Sequence, residues 1–157
     1  MQTASTTRPL RTINPNLKDL YRDTIMRHSK TPQNRSANPN APLQSTLTNP
    51  LCGDEISVYL ECKDNIITQA TFEGQCCALC TASASMLTTE IQDLDTTEIT
   101  ALANTLIDRL KTDAALPSAK SEDIKSLSGV AAFPSRKRCV TLPWEALLAA
   151  LAQKSDD

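Results

Sequence analysis

Residues 49–77 read NPLCGDEISVYLECKDNIITQATFEGQCC, an alternating segment with cysteines near both ends. Apolar and polar side chains alternate over its first half, which predicts a half-buried β-strand because successive strand residues point to opposite faces. The polar turn Lys63–Asn65 and the apolar run Ile66–Phe72 complete a predicted hairpin, which ends at Gly74. The first strand is expected to bury one set of side chains: Ile56, Val58, Leu60 and Cys62.

The chain before this hairpin is predicted to hold one helix and one long loop. Apolar residues recur at helical spacing from Leu17, with Asn16 as a cap, and the helix is expected to end near His28. The segment Thr31–Pro50 carries four prolines and four asparagines, so it is predicted to be a loop. Residues 1–13 are polar and aperiodic, and we expect them to form a flexible tail.

After the hairpin the sequence predicts four helices, so the expected fold class is α+β, a small antiparallel β-sheet packed against several α-helices. Asp95 followed by Glu98 is the arrangement of a capping box, and Pro143 is a residue that helices accept in their first turn. We expect one domain over residues 14–152 and a short tail over 153–157. The predicted helices begin at Cys77 or Ala78, after Asp95, at Ser121 and after Pro143.

Composition limits the possible function classes. The 157 residues carry a net charge of −2 and 3% aromatic residues, without a basic stripe, so nucleic acid is not an expected partner. No apolar run has the length of a membrane span or a signal peptide, so we expect no membrane partner and a cytoplasmic location. In a reducing compartment six cysteines are more often metal-binding or catalytic than paired, although a disulfide framework stays an alternative.

The tripeptide Cys52-Gly53-Asp54 stands where the predicted loop meets the first strand. Glycine permits a sharp turn, so that a thiolate and a carboxylate two positions apart can face one point. The simpler alternative is a turn with a small buried cysteine. Because Cys52 follows a proline-rich segment, we expect it to lie on a mobile part of the chain.

The remaining cysteines lie near predicted helix starts. Cys77 is expected at a helix N-terminus, where the dipole and free amides favour a thiolate that acts as ligand or nucleophile. Cys77 and Cys80 also form a C-x-x-C pair, which suits a redox dithiol or half of a zinc site. Cys139 follows the basic residues 136–138, which favour a thiolate if they do not simply form a solvated face.

Four ordered motifs together resemble those of the U-type iron–sulfur assembly family, SufU and IscU. Residues 49–54 are similar to the family's N-P-x-C-G-D motif, and residues 72–86 are similar to its F-x-G-x-G-C…A-S-A-S-M segment. Residues 128–144 resemble the G-V…F-P-x-R-x-K-C…L-x-W ending, and residues 20–28 resemble the opening helix. The resemblance extends over about residues 17–150.

This resemblance implies a SufE/NifU-like fold with one zinc ion bound by Cys52, Asp54, Cys77 and Cys139. It implies a zinc-dependent sulfurtransferase in which Cys52 accepts persulfide sulfur from a SufS-type cysteine desulfurase. Arg136 is expected to support this step as a positive side chain near the site. Downstream cluster-assembly proteins are further expected partners. The alternative, implied by IscU-type relatives, is a scaffold that builds a [2Fe–2S] cluster, or holds iron, on the same cysteines. A third hypothesis is a structural metal in a binding module.

Two features favour the SufU type over the IscU type. Sixty-two positions separate Cys77 from Cys139, a long interval that resembles SufU, which carries an insertion there. Arg138 stands directly before the last cysteine, where IscU has a histidine.

Three further cysteines and the single histidine need separate predictions. Cys76 occupies the position of a family glycine, and we expect it not to be a ligand, since adjacent residues point in different directions. Cys80 is expected to be buried near the metal or, alternatively, to replace a ligand. Cys62 is expected to be a small inward strand residue, and His28 to be structural.

Overall fold

Three antiparallel strands form the sheet in the computed structural model, which describes residues 8–154 and the side chains from residue 18 onward. The strands are β1 (Leu43–Asn49), β2 (Asp54–Lys63) and β3 (Ile66–Gln75). β2 lies in the middle and pairs with β1 on one side and β3 on the other. The two connecting turns therefore lie at opposite ends of β2.

Helices pack on this sheet and on one another. The α-helices are α1 (Arg8–Lys30), α2 (Ala78–Glu90), α3 (Thr96–Thr112) and α4 (Lys137–Ala152), and two 3₁₀ helices precede α4, at Glu122–Ala132 and Pro134–Arg136. α4 contacts β1, β2, α2 and α3, whereas α1 packs against α2 and the longer 3₁₀ helix. Among the described helices, none combines the length and the apolar character that crossing a bilayer requires.

The predicted hairpin corresponds to β2 and β3, but the first strand of the sheet was missed. Ile56, Val58 and Leu60 are fully buried, as the alternation predicts. The segment predicted as a loop contains β1, which is mostly polar and has prolines nearby. β1 lies at the sheet edge and pairs only with β2, so its stability depends on tertiary pairing and on α4 rather than on local propensity.

The chain ends also differ from the predictions. α1 begins at Arg8, so the predicted helix start at Asn16 is wrong, and residues 1–7 of the expected tail lie outside the described residues. At the other end, the side chain of Gln153 accepts a hydrogen bond from the backbone N–H of Gln44 in β1 and donates one to the carbonyl oxygen of Gln44. The packed structure thus reaches at least one residue beyond the expected boundary, and residues 155–157 lie outside the described part.

The region before the C-terminus is more helical than predicted. The longer 3₁₀ helix extends past Leu127, where the sequence predicts the end of this helix, and Gly129, predicted close to that end, lies inside it. α4 begins at Lys137, so a start after Pro143 is wrong, and Pro143 is an interior residue of this helix. Cys139 accordingly belongs to the first turn of α4 rather than to a preceding loop.

His28 connects three elements away from the cysteines. Its Nδ1 lies 2.8 Å from Ser85 Oγ on α2, and its Nε2 lies 2.9 Å from Asp123 Oδ2 on the longer 3₁₀ helix. Burial raises the pKa of the Asp123 carboxyl, but the hydrogen bond from His28 and the charge of Arg27 outweigh burial and hold that pKa below its ordinary value. These contacts agree with the predicted structural role of His28.

A buried hydroxyl joins α2 to α4. Ser83 Oγ donates to the carbonyl oxygen of Val140 at 2.7 Å and accepts from Trp144 Nε1 at 3.0 Å, and both Ser83 and Trp144 are fully buried. An indole N–H that loses its acceptor in a dry interior keeps the full cost of its desolvation.

Ser83→Ala should therefore lower the free energy of unfolding by about 1–3 kcal/mol, the cost of one unsatisfied buried polar group. Urea unfolding followed by the fluorescence of Trp144, the only tryptophan, measures this loss. Ser118→Ala, the same change at an exposed position, is the control and should leave the midpoint unchanged. Equal midpoints for the two variants would contradict the importance of this hydrogen bond.

Candidate metal centre

The turn between β1 and β2 carries Cys52 and leads into Asp54. The carbonyl oxygen of Asn49 accepts hydrogen bonds from the N–H groups of Cys52 at 3.2 Å and Gly53 at 2.8 Å, and its side-chain oxygen accepts from Leu51 at 3.2 Å. Gly53 has a φ of 76°, which glycine adopts without steric cost. Cys52 is exposed, and it lies in a hydrogen-bonded hairpin turn rather than at the end of the long loop that was predicted.

Asp54 connects this turn to the N-terminus of α2. Its Oδ1 accepts the backbone N–H of Cys77 at 2.9 Å, and its Oδ2 lies 3.6 Å from Cys77 Sγ. Cys77 is the N-cap of α2 and makes no side-chain cap hydrogen bond, so the Asp54 carboxylate meets the positive end of the helix dipole instead. Asp54 is only 3% exposed, so this contact is largely shielded from water.

Cys139 reaches the same point from α4. Its Sγ lies 3.6 Å from Cys52 Sγ, although 87 positions separate the two residues. Ligand atoms of Cys52, Asp54 and Cys139 all lie within 4.8 Å of one another. Cys77 lies outside this set of three, but its Sγ lies 3.6 Å from Asp54 Oδ2. The fold thus brings together Cys52, Asp54 and Cys139 of the four predicted ligands and places Cys77 against Asp54.

The surroundings of Cys139 favour its protonated thiol in the absence of a cation. Burial raises the pKa of Cys139, and hydrogen bonds with Cys52, Cys77 and Asp54 raise it further. A bound metal would replace the shared protons, because cysteine coordinates metals as the thiolate. Three sulfurs and one carboxylate oxygen form a donor set that tetrahedral zinc accepts, and thiolates also suit iron–sulfur clusters. The residues present therefore fit a zinc ion.

Cys76 lies outside the group of Cys52, Asp54 and Cys139. Its Sγ lies 3.4 Å from Thr81 Oγ1. The neighbouring Cys80 lowers the pKa of Cys76, and Cys76 together with burial raises the pKa of Cys80. That Cys76 is not a ligand stays a prediction. Cys62 is half-buried, because the register of β2 against β3 shifts between Glu61 and Cys62.

Arg136 lies at the surface, in the segment that leads to Cys139. It ends the shorter 3₁₀ helix, three residues before Cys139, and its side chain is exposed. It borders a groove of about 780 Å³ that is lined by α1, the start of α2 and the end of the longer 3₁₀ helix. Phe133 lines this groove and is 60% exposed, while Leu51, next to Cys52, is 95% exposed. The groove and the hairpin turn thus each carry one large exposed apolar side chain, and Arg136 borders the groove.

Comparison with known proteins identifies the family. The model of the NifU-like N terminal domain matches residues 20–153, so the chain belongs to this family. It is 36% identical over 141 residues to the zinc-dependent sulfurtransferase SufU of Bacillus subtilis (strain 168), covering 90% of this chain and 95% of the relative. It is 31% identical over 140 residues to the iron–sulfur cluster assembly scaffold protein IscU of Streptococcus pyogenes serotype M1, covering 89% and 87%.

The fold agrees with that assignment. The crystal structure of a nitrogen-fixing NifU-like protein (N-terminal) from Brucella abortus superposes with a TM-score of 0.81, covering 90% of this chain and 98% of that chain. Because the identity is 22%, this likeness concerns the fold alone. The predictions of the α+β class and of the family are confirmed.

Gly74 and Arg35 hold the end of β3, from which the chain enters Cys76 and Cys77. Gly74 pairs with Ile56 of β2, and a Cβ atom at Gly74 would overlap the backbone of Glu55. Arg35 donates to the Gly74 carbonyl oxygen at 2.9 Å. The sequence carries no signal for this contact, because Arg35 is an isolated charge in a segment predicted as loop.

Gly74→Ala should force β3 away from β2, destabilise the fold by about 1–3 kcal/mol and weaken metal binding by displacing Cys77. Gly129→Ala is the matched control, because a Cβ there would meet no atom within 4 Å. Thermal unfolding and the metal content of the two purified variants measure the difference. A Gly74→Ala protein with the stability and metal content of the control would contradict the role of this close approach.

Proposed function

We propose that this protein accepts persulfide sulfur from a SufS-type cysteine desulfurase and supplies it for iron–sulfur cluster assembly. The supporting observation is the unequal exposure of four side chains that meet at one point. Cys52 is exposed, Cys77 is half-buried, and Asp54 and Cys139 are almost completely buried. A donor protein can therefore approach Cys52 without any rearrangement of the core. The similarity to a relative named zinc-dependent sulfurtransferase supports the same proposal.

Cys52, Asp54, Cys77 and Cys139 would hold the zinc ion. When bound, zinc stabilises its cysteine ligands as thiolates at neutral pH. Three thiolates and one carboxylate would supply the four donors that zinc accepts in a closed site, so hydrolysis is not the expected chemistry. Asp54 is the one oxygen donor of the set, and its hydrogen bond to the Cys77 N–H keeps the carboxylate oriented.

Sulfur transfer at Cys52 is a thiol–persulfide exchange. The Cys52 thiolate attacks the outer sulfur of the persulfide on the desulfurase, and a new S–S bond forms at Cys52. The S–S bond of the desulfurase breaks, and its cysteine leaves as a thiolate. The reacting sulfurs must approach to about 3–3.5 Å, which requires an accessible nucleophile. The hairpin turn meets that requirement, since Asn49 holds it in shape while Cys52 stays exposed.

The surface around Cys52 suits a protein donor. Leu51, next to Cys52 in the hairpin turn, is an exposed apolar side chain, and such side chains stabilise an interface when a partner covers them. Arg136 is exposed three residues before Cys139, and its positive charge would stabilise a persulfide anion that approaches it. These features support docking of the desulfurase over the hairpin turn.

A second function is favoured by the three thiols themselves. The same cysteines would serve as ligands of a [2Fe–2S] cluster, and a relative named as an iron–sulfur cluster assembly scaffold is 31% identical. In that case the protein would hold iron or a cluster and pass it to other proteins. Metal content and visible absorbance distinguish this alternative from the zinc-dependent acceptor.

We predict one zinc per chain in the purified protein, and its loss in Asp54→Ala and Cys139→Ser. Cys62→Ser and Cys76→Gly are controls that should keep the zinc, because neither thiol belongs to the ligand group. Structural zinc supplies about 10–16 kcal/mol of apparent binding free energy, comparable to the roughly 5–15 kcal/mol stability of a domain. A chelator should therefore lower the unfolding temperature as well as remove the metal.

Elemental analysis of each variant and thermal unfolding with and without chelator provide the measurements. Stoichiometric iron and acid-labile sulfide in the unmodified protein would favour the scaffold alternative. Loss of zinc from Cys76→Gly alone would show that the ligand set differs from the one proposed.

Cys52→Ala should abolish the stimulation of a SufS-type desulfurase, while the protein remains folded. Cys62→Ser is the matched control and should stimulate the desulfurase as the unmodified protein does. Persulfides formed with desulfurase and cysteine are trapped by alkylation and located by mass spectrometry. Sulfur that arrives first on any other cysteine, and never on Cys52, would disprove the assignment of the acceptor.

A further inference from the structure

The exposed hairpin turn that carries Cys52 is anchored by two buried polar residues. Residues 50–53 are all exposed, whereas Asn49 before them and Asp54 after them are each only 3% exposed. Asn49 and Asp54 are paired with each other in the ladder of β1 and β2. Asp54 belongs to the candidate ligand group, but Asn49 does not, so the burial of Asn49 needs a separate explanation.

Asn49 accepts hydrogen bonds from three consecutive N–H groups of the turn. Its side-chain Oδ1 accepts from Leu51 at 3.2 Å, and its carbonyl oxygen accepts from Cys52 at 3.2 Å and from Gly53 at 2.8 Å. Pro50 has no N–H group, so every backbone donor of residues 50–53 bonds to Asn49. A side-chain oxygen that accepts an N–H two positions further along the chain forms an Asx-turn, for which asparagine and aspartate are both suited.

The pairing of Asn49 with Asp54 favours asparagine over aspartate at this position. Residues directly opposite each other on antiparallel strands point to the same face, with Cβ atoms about 4.5–5.5 Å apart, and like charges at such a pair are destabilising. An aspartate at position 49 would place a second carboxylate opposite that of Asp54. Asparagine supplies the same acceptor for the turn without the charge.

A negative charge at position 49 would also oppose the proposed chemistry. The attacking thiolate and the incoming persulfide are both anions, and water screens a buried charge much less than an exposed one. Asn49 is buried and bonds directly to the backbone of Cys52, so a charge on its side chain would act at short range. Both the shape of the turn and the electrostatics at Cys52 therefore depend on this amide.

We propose that Asn49 is a positioning residue for sulfur transfer at Cys52. Its amide oxygen fixes the turn that presents Cys52 to a protein donor, and its neutrality keeps a second negative charge away from the anionic persulfide. This inference rests on the proposed acceptor role of Cys52 and deepens it. Asn49 acts through the turn and is neither a ligand nor a nucleophile.

Two substitutions separate the acceptor from the charge. Asn49→Ala removes the side-chain acceptor and adds no charge, whereas Asn49→Asp keeps the acceptor and adds a charge. Asn104→Ala and Asn104→Asp, the same changes at an exposed position of α3, are the matched controls and should behave as the unmodified protein does. Circular dichroism and zinc content verify the fold and the ligand group of each protein, and every measurement is made below the lowest unfolding temperature of the set.

Amide hydrogen exchange measures the order of the turn. Asn49→Ala should speed the exchange of the Leu51 N–H by about two- to tenfold, the effect of losing one hydrogen bond, and leave exchange in the core of β2 unchanged. In Asn49→Asp the Leu51 N–H should exchange as slowly as in the unmodified protein. Exchange of the Leu51 N–H that is unchanged in Asn49→Ala would overturn the proposal.

Two alkylating reagents measure the charge at Cys52 without a desulfurase. Iodoacetate is an anion and iodoacetamide is neutral, and both react with the same thiolate, so the ratio of their rates does not depend on the amount of thiolate. At Cys52, located by mass spectrometry, the ratio of iodoacetate to iodoacetamide should fall about twofold or more in Asn49→Asp, because the added charge repels iodoacetate alone. The ratio should stay unchanged in Asn49→Ala, and an unchanged ratio in Asn49→Asp would overturn the proposal.

Transfer from a SufS-type desulfurase completes the test. The initial rate of persulfide formation on Cys52 should fall by about two- to tenfold in both Asn49 variants, through loss of orientation in one and through repulsion in the other. Iodoacetamide should label Cys52 in Asn49→Ala at least as fast as in the unmodified protein, because a small reagent needs no fixed direction of approach. Normal transfer by Asn49→Asp, or loss of zinc from Asn49→Ala, would contradict the positioning role.

The positioning role and the proposed function fail through different results. If the unmodified protein forms no persulfide on Cys52 with an active desulfurase, the acceptor role fails, and the positioning role fails with it. If the unmodified protein forms this persulfide and neither Asn49 variant slows its formation, the acceptor role stands and the positioning role is excluded.

Discussion

The carboxylate of Asp54 joins the two halves of the candidate site, and the arrangement of the cysteines depends on it. Asp54 is the first residue of β2 and is almost completely buried. Its carboxylate accepts a hydrogen bond from the backbone N–H of Cys77 at the start of α2. A buried carboxylate needs compensating partners, and the helix N-terminus supplies both an N–H group and the positive end of the dipole. The same carboxylate lies beside the thiols. Asp54 therefore fixes the backbone at the start of α2 and is also a candidate metal ligand.

The position of α4 explains why the site is exposed on one side only. α4 packs across β1 and β2, and its first turn places Cys139 beneath the hairpin turn that carries Cys52. The core therefore covers the group from below, while Leu51 and Cys52 remain at the surface. A site of this kind can bind a metal tightly through its buried members and still present one thiol to another protein.

The six cysteines have three different surroundings. Three lie near Asp54, Cys76 and Cys80 lie at the junction of β3 and α2, and Cys62 lies apart in β2 beyond a register shift. These surroundings give the thiols different chemistry, because accessibility and neighbouring groups control which thiolate forms and what it can attack. Counting cysteines, or grouping them by C-x-x-C spacing, would have paired Cys77 with Cys80 and missed this division.

Local patterns in the sequence were sufficient for the hairpin of β2 and β3, for the capping box at Asp95 and Glu98, and for the start of α2. Each depends on residues close in sequence, whose alternation or capping chemistry is visible without the fold. The motifs also identified the four candidate ligands, through resemblance to a family. The strand β1, the early start of α4 and the contact between Cys76 and Thr81 were not predictable in this way. They depend on partners distant in sequence or on the direction in which a side chain points. The meeting of Cys52 with Cys139 across 87 positions is likewise decided by the tertiary structure, since only the packing of α4 on the sheet brings the two sulfurs together.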